Sequence, residues 1–183
     1  MYYYLEYVQY LLDVDFNVFL SDFNRADTLL YDKKSQDYCT YFNGAAMGNV
    51  RSPEEYADKP LNEKVDVYSF GMALFSLLSG QEPYQDIDDQ DEINSSVLKG
   101  HIPVIENSIS GNSFAESALK SIMYKCLEYY AERRIDIFKV VSLLGDAVHL
   151  NRRLEDIIVS ESEQYAQEEY NENSNLDEEY YYH

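Results

Sequence analysis

The sequence predicts a mainly α-helical domain of the α+β kind with one small β-hairpin near its start, and three features carry that prediction. Residues 65–80 are apolar on every side of a helical wheel, which suits a helix surrounded by core. Ser113 followed by Glu116 forms a capping box ahead of a helically spaced apolar run. Two short β-leaning runs flank the turn residues of Asp13 to Asn17.

In chain order, residues 2–12 (Tyr-Tyr-Tyr-Leu-Glu-Tyr-Val-Gln-Tyr-Leu-Leu) and Val18-Phe19-Leu20 form the arms of the hairpin, which ends at Ser21-Asp22-Phe23-Asn24. Arg25 to Val50 is polar, contains Gly44 and Gly48, and keeps no sustained period. A connection of that length is functional or mobile. Arg51-Ser52-Pro53-Glu54-Glu55-Tyr56 closes it. The central run Val65 to Gly80 is too long for a typical strand and too short and polar at its start to span a membrane, with Gly80 and Pro83 as its stop. Sheltering Phe70, Leu74, Phe75, Leu77 and Leu78 would contribute roughly 7 to 15 kcal/mol, at about 1.5 to 3 each. Asp66 must cap this helix or bond to backbone amides, because an unpaired carboxylate there costs several kcal/mol. Gly71 costs about 1 kcal/mol relative to Ala in a helix, so a neighbour should pack closely against it.

Residues 92–98 read as a short helix stopped by Gly100 and Pro103. The helix opened by Ser113 should run through about Tyr129, with Ala118, Ile122, Met123, Cys126 and Leu127 at helical spacing. A last helix begins near Asp136 and carries Phe138, Val141, Leu144, Ala147 and Val148. The domain therefore occupies 1–150. Residues 151–183 form an acidic, tyrosine-rich tail in which 151–160 extend the helix and the remainder is expected to lack order.

The 183 residues suit one domain plus that tail. Of the net charge of −20, residues 150–183 hold 10 acidic and 2 basic side chains (−8), leaving 24 against 12 (−12) elsewhere. Such a field argues against nucleic acid and anionic membrane and favours basic protein partners or cations. Cys39 and Cys126 are too few for a disulfide framework, and His101, His149 and His183 are too scattered for a metal centre. Met1 is followed by aromatics and Glu6, with no basic leader region, which leaves a cytoplasmic or nuclear location.

Asp22-Phe23-Asn24, Ser52-Pro53-Glu54, Asp66-Val67-Tyr68-Ser69-Phe70-Gly71, and Cys126 with Arg134 beyond it resemble, in that order and spacing, the C-terminal lobe of a eukaryotic-type protein kinase. The first tripeptide stands where the family has Asp-Phe-Gly, the second where it has Ala-Pro-Glu, and the polar stretch between them is the activation segment. The resemblance covers about Val18 to Leu150. It implies phosphoryl transfer from Mg-ATP to protein hydroxyls, with Asp22 holding the metal that bridges the phosphates. It implies a buried ion pair between Glu54 and Arg134, and Asp66 bonded to the catalytic-loop backbone. Thr28, Ser35, Thr40 and Tyr41 then lie on the activation segment, where a phosphate could order it. Gly48-Asn49-Val50 would line a peptide groove.

The same comparison locates the departures. Counting back from Leu11-Leu12-Asp13, the family's His-Arg-Asp-Leu falls on Tyr2-Tyr3-Tyr4-Leu5 and its metal-binding Asn on Gln9. Tyr4 at the base position carries a phenol of pKa about 10, protonated at neutral pH and unable to accept a substrate proton as a carboxylate does. Gln9 is an amide one methylene longer. Asn24 for Gly is milder, since Asn tolerates left-handed backbone. The stretch contains no Gly-rich loop, strand Lys or paired helix Glu, so the first lobe and its half of the nucleotide site are not expected here. Missing the helix that flanks the central one would leave part of Phe70 to Leu78 in water. Two expectations stay open: a truncated, inactive kinase copy, or a catalytically dead pseudokinase-type module that binds a partner.

Overall fold

The structure is a computed structural model; it describes residues 10–15, 17–21, 26–44, 47–105 and 113–180, the last part of the final helix as backbone. Strand β1 (Tyr10–Leu12) pairs antiparallel with β2 (Val18–Leu20), Tyr10 opposite Leu20 and Leu12 opposite Val18. Asp13 makes the turn. Its Oδ1 accepts from the amides of Asp15 at 2.8 Å and Asn17 at 2.9 Å, and its Oδ2 from Asn17 Nδ2 at 2.8 Å. The Asn17 bonds hold its carboxyl below the usual range. All six strand residues are exposed.

A second hairpin lies where the sequence shows no period: β3 (Tyr31–Asp32) against β4 (Asp37–Tyr38). Strands of two residues are too short for alternation to register. Their turn repeats the device of the first, Asp32 accepting from the Lys34 amide and the Ser35 hydroxyl at 2.9 and 3.0 Å, with Gln36 left-handed at φ 56°. The rings of Tyr31 and Tyr38 meet edge to face at 5.3 Å. Tyr41 then bridges to Leu61, which returns the segment to the helical body.

Among the described residues five helices follow: α1 (Pro53–Tyr56), α2 (Lys64–Ser79), α3 (Gln90–Leu98), α4 (Phe114–Cys126) and α5 (Ile137–Tyr180). The core forms where α2 packs on α4 and α4 on α5, from Val67, Tyr68, Met72 and Phe75, then Ile122, Met123, Cys126 and Leu127, with Val140 closing it. Gly80 stops α2 in the left-handed region at φ 69°, its amide donating to Ser76 O at 2.8 Å. Of the five side chains expected in shelter, Leu74 and Phe75 are buried, Phe70 and Leu78 half-buried, and Leu77 is 71% exposed. The helix is therefore central but not covered on every side.

Two helix ends differ from the sequence reading. α4 closes at Cys126 rather than near Tyr129, because the carbonyls of Glu128 and Tyr129 turn to accept from the Arg134 side chain. α5 starts as expected, with Asp136 Oδ1 accepting the Lys139 amide at 3.1 Å. It buries Val140 and partly Leu143 and Leu144, and leaves Phe138, Val141 and Val148 exposed. It also runs on to Tyr180, past the extension expected at 151–160, since no proline or glycine follows Gly145 to stop it. Among the described residues no helix is long and apolar enough to cross a membrane.

Candidate functional site

Ser52 caps α1 and Pro53 begins it, the missing amide costing nothing at that position. Both are buried. The Glu55 carboxylate accepts from the Ser52 amide at 2.8 Å and its hydroxyl at 2.9 Å. With Glu55 engaged at the cap, Glu54 is free to point inward to Arg134. Nη1 of Arg134 donates to Glu54 Oε1 at 2.6 Å and Nη2 to Oε2 at 3.0 Å, a bidentate pair across 80 positions of sequence. The remaining donors go to backbone carbonyls: Nε to Glu128 at 2.9 Å, Nη1 to Lys64 at 2.7 Å and Nη2 to Tyr129 at 3.3 Å. All five guanidinium N–H groups are thus engaged. The Tyr68 ring lies 4.9 Å from the guanidinium carbon, and Lys64 Nζ donates to the Arg134 carbonyl at 3.2 Å.

One buried cation therefore joins α1, the start of α2 and the turn after α4. Glu54 is 8% exposed and Arg134 3%. Removing either partner strands the other charge at a cost of about 3 to 5 kcal/mol. Tyr68 and Lys64 belong to this junction although their sequence context gave them no role.

The loop ahead of α1 is held as firmly. Gly48 sits at φ 108°, a conformation that excludes side chains with a Cβ. Its amide donates to Gln90 Oε1 at 3.0 Å, and Gln90 Nε2 donates back to its carbonyl at 2.9 Å and to Asn94 Oδ1 at 2.8 Å. The Tyr56 hydroxyl donates to the same carbonyl. Asn49 Nδ2 donates to Pro83 O at 2.9 Å, and Ser69 Oγ to Val50 O at 3.3 Å. The backbone of 48–50 is set from α1, α2 and α3 together. Gln90 was missed because it lies in an acidic run, Asp86 to Glu92, whose pattern says only that it faces water.

Gly71 sits where α2 crosses α4: a Cβ there would meet Cys126 Cβ and Leu127 Cδ2, each at 2.8 Å. Asp66 does not cap α2, a task that falls to Asn62, whose Oδ1 accepts the Lys64 amide at 3.1 Å. Asp66 stands exposed in the first turn, where a carboxylate suits the helix dipole. Partial desolvation nevertheless holds its carboxyl above the usual range, with Arg51 pulling the other way. The catalytic-loop backbone expected to meet it lies outside the described residues. So do Tyr4, Gln9, Asp22 and Asn24. Thr28, Ser35 and Thr40 are exposed and Tyr41 is half-buried. Among the described residues no cluster of three His, Cys, Asp or Glu could hold a metal ion.

The structure thus has a helical body with a long segment pinned to it by a buried glutamate–arginine pair. The family described as protein tyrosine and serine/threonine kinase matches residues 8–144, and the chain belongs to it. It is 31% identical over 163 residues to a probable LRR receptor-like serine/threonine-protein kinase of Arabidopsis thaliana, covering 83% of this chain and 17% of that protein. The dual specificity protein kinase pyk3 of Dictyostelium discoideum is 27% identical over 173 residues, 92% of this chain and 12% of that one. Mitogen-activated protein kinase kinase kinase 12 of Rattus norvegicus is 33% identical over 100 residues, 51% of this chain and 10% of that one. The chain spans less than a fifth of the length of these relatives.

Proposed function

We propose that this stretch is the C-terminal lobe of a protein kinase in which the scaffold is kept and the phosphoryl-transfer chemistry is not, so that it serves to hold a protein partner. The observation that carries this reading is Tyr4 at the position of the base. A phenol with a pKa of about 10 keeps its proton at neutral pH and leaves the substrate hydroxyl unactivated. Mg-ATP is the family's phosphoryl donor. Here the donor set would be the carboxylate of Asp22 and the amide of Gln9, oxygen donors of the family's kind with the amide one methylene further out.

Two features favour partner binding. The hairpin β1–β2 exposes Leu11, Leu12, Val18, Phe19 and Leu20 on both faces, a surface that in water calls for cover. The net charge of −20 suits a basic partner. The test is incorporation of labelled phosphate from Mg-ATP into the purified chain and into a generic basic substrate. We expect none above a no-enzyme control. Metal-dependent turnover abolished by Asp22→Asn would overturn the reading and make the chain an active transferase.

A further inference from the structure

Asn43 is the one asparagine of this chain that a glycine follows. Both residues are exposed and in no helix or strand, and Gly44 is left-handed at φ 71°, with nothing within 4 Å of the place where a Cβ would stand. Among the described residues neither the Asn43 carboxamide nor the Gly44 amide makes a hydrogen bond. The other asparagines with described side chains are each held, and each precedes a residue that carries a Cβ. Asn17 Nδ2 donates to Asp13 Oδ2 at 2.8 Å, Asn49 Nδ2 to Pro83 O at 2.9 Å and Asn151 Nδ2 to Glu155 Oε1 at 2.8 Å. Asn62 Oδ1 accepts the Lys64 amide at 3.1 Å, and Asn94 Oδ1 accepts from Gln90 Nε2 at 2.8 Å. Asn43 alone among them is unrestrained and unhindered.

An asparagine so placed reacts with its own backbone. The Gly44 amide nitrogen gives up its proton to water, attacks Asn43 Cγ and closes a five-membered imide, while the carboxamide nitrogen departs as ammonia. The missing side chain at Gly44 leaves the approach open. Water then adds to either imide carbonyl: opening the ring at the Cγ–N bond leaves an aspartyl residue, and opening it at the other C–N bond leaves an isoaspartyl one, whose chain runs through the former Cγ. No oxidant, metal or enzyme enters the balance. We propose that Asn43–Gly44 is a self-modification site, at which this chain passes in water from asparagine to isoaspartate and aspartate. Its position gives the change a consequence. Tyr41, two residues earlier, is fixed to Leu61 through its amide and carbonyl at 3.0 and 2.8 Å, and Gly48, five residues later, is clamped by Gln90. An isoaspartyl residue adds one backbone bond between those fixed ends, and either product adds a negative charge to a chain already at −20. The site goes beyond the partner-binding reading above and does not depend on it.

In the test the full chain is kept warm at pH 8, sampled over time and digested with trypsin at mildly acidic pH, which arrests conversion during the digest. Cleavage after Lys34 and Arg51 leaves Asn43 and Asn49 on one peptide, so the second serves as an internal control. Fragmentation in the mass spectrometer should place the exchange of an amide nitrogen for oxygen at Asn43, about tenfold or more faster than at Asn49, whose side chain is bonded and whose neighbour is β-branched. Isoaspartate should be the larger product, read by an isoaspartate-specific methyltransferase that transfers a labelled methyl group to it from S-adenosylmethionine. Gly44→Ala should slow the conversion severalfold and Asn43→Gln abolish it, with the core untouched because nothing packs at Gly44. A synthetic peptide of residues 35–51 should convert within about tenfold of the rate in the folded chain, since the fold does not hold Asn43. No conversion, a smaller lead over Asn49, aspartate without isoaspartate, an unchanged rate in Gly44→Ala, or a folded chain slower than the peptide by more than that margin would each overturn the proposal.

Discussion

Replacing Gly71 with alanine sets two physical effects against each other, and the structure decides the sign. Helix propensity alone favours alanine by about 0.8 to 1 kcal/mol in the interior of α2. Against this, the new methyl would stand 2.8 Å from both Cys126 Cβ and Leu127 Cδ2, and 3.0 Å from Leu127 Cγ. Leu127 can turn about its side-chain bonds, but Cys126 Cβ is fixed to the backbone of α4 and cannot. The two helices at the centre of the core must therefore part by some tenths of an ångström. Overpacking of this kind costs about 1 to 3 kcal/mol. The expected balance is a loss of up to about 2 kcal/mol, or a melting temperature lower by up to roughly 8 °C for a chain of this size. Urea unfolding followed by far-UV circular dichroism measures it, a suitable probe because the chain has no tryptophan. A variant as stable as the parent, or more stable, would refute the close crossing of α2 and α4.

Further outcomes follow from the same packing. Of the two thiols, Cys39 is exposed and Cys126 buried, so native chain should take one equivalent of iodoacetamide at pH 8 and unfolded chain two, read by mass spectrometry. Burial pushes the Cys126 thiol up to about 11 from an ordinary 9.0, with Arg134 acting in the opposite direction. Below pH 9 the thiol is neutral folded or unfolded and stability is intact; between about pH 9 and 11 the unfolded chain ionises first, so urea midpoints should fall. Desolvation raises the phenols of Tyr68 and Tyr84 as well, which extends the loss to higher pH. Gln90→Leu removes both hydrogen bonds to Gly48, and amide exchange at Gly48 should quicken at least tenfold while α2 keeps its protection.

The helices were legible wherever a local rule sufficed. The capping box at Ser113 and Glu116 forms, with Ser113 Oγ donating to Glu116 Oε2 at 2.9 Å. Gly80 stops α2, and the penalty of a mid-helix glycine pointed to the contact found at Gly71. The pairing of Glu54 with Arg134 was a different matter, since nothing local links residues 80 apart and only the family resemblance suggested it. Where partners are distant and carry no motif, the sequence was silent. The clamp of Gln90 on Gly48 is one such case. The end of α4 is another, for its last carbonyls answer to an arginine several residues downstream. On α5 the sequence reading put Val141 in the core and passed over Val140, whereas Val140 is buried and Val141 exposed.

The most direct measurement is a double-mutant cycle on Glu54→Gln and Arg134→Met, each variant unfolded in urea. Each single substitution should cost about 3 to 5 kcal/mol by leaving a buried charge or donor array without its partner. The double variant should cost little more than either, a coupling of about 3 to 5 kcal/mol that barely changes with salt. Additive losses below 1 kcal/mol each, screened away by salt as surface pairs are, would mean that the segment is not tied to the helical body by this pair.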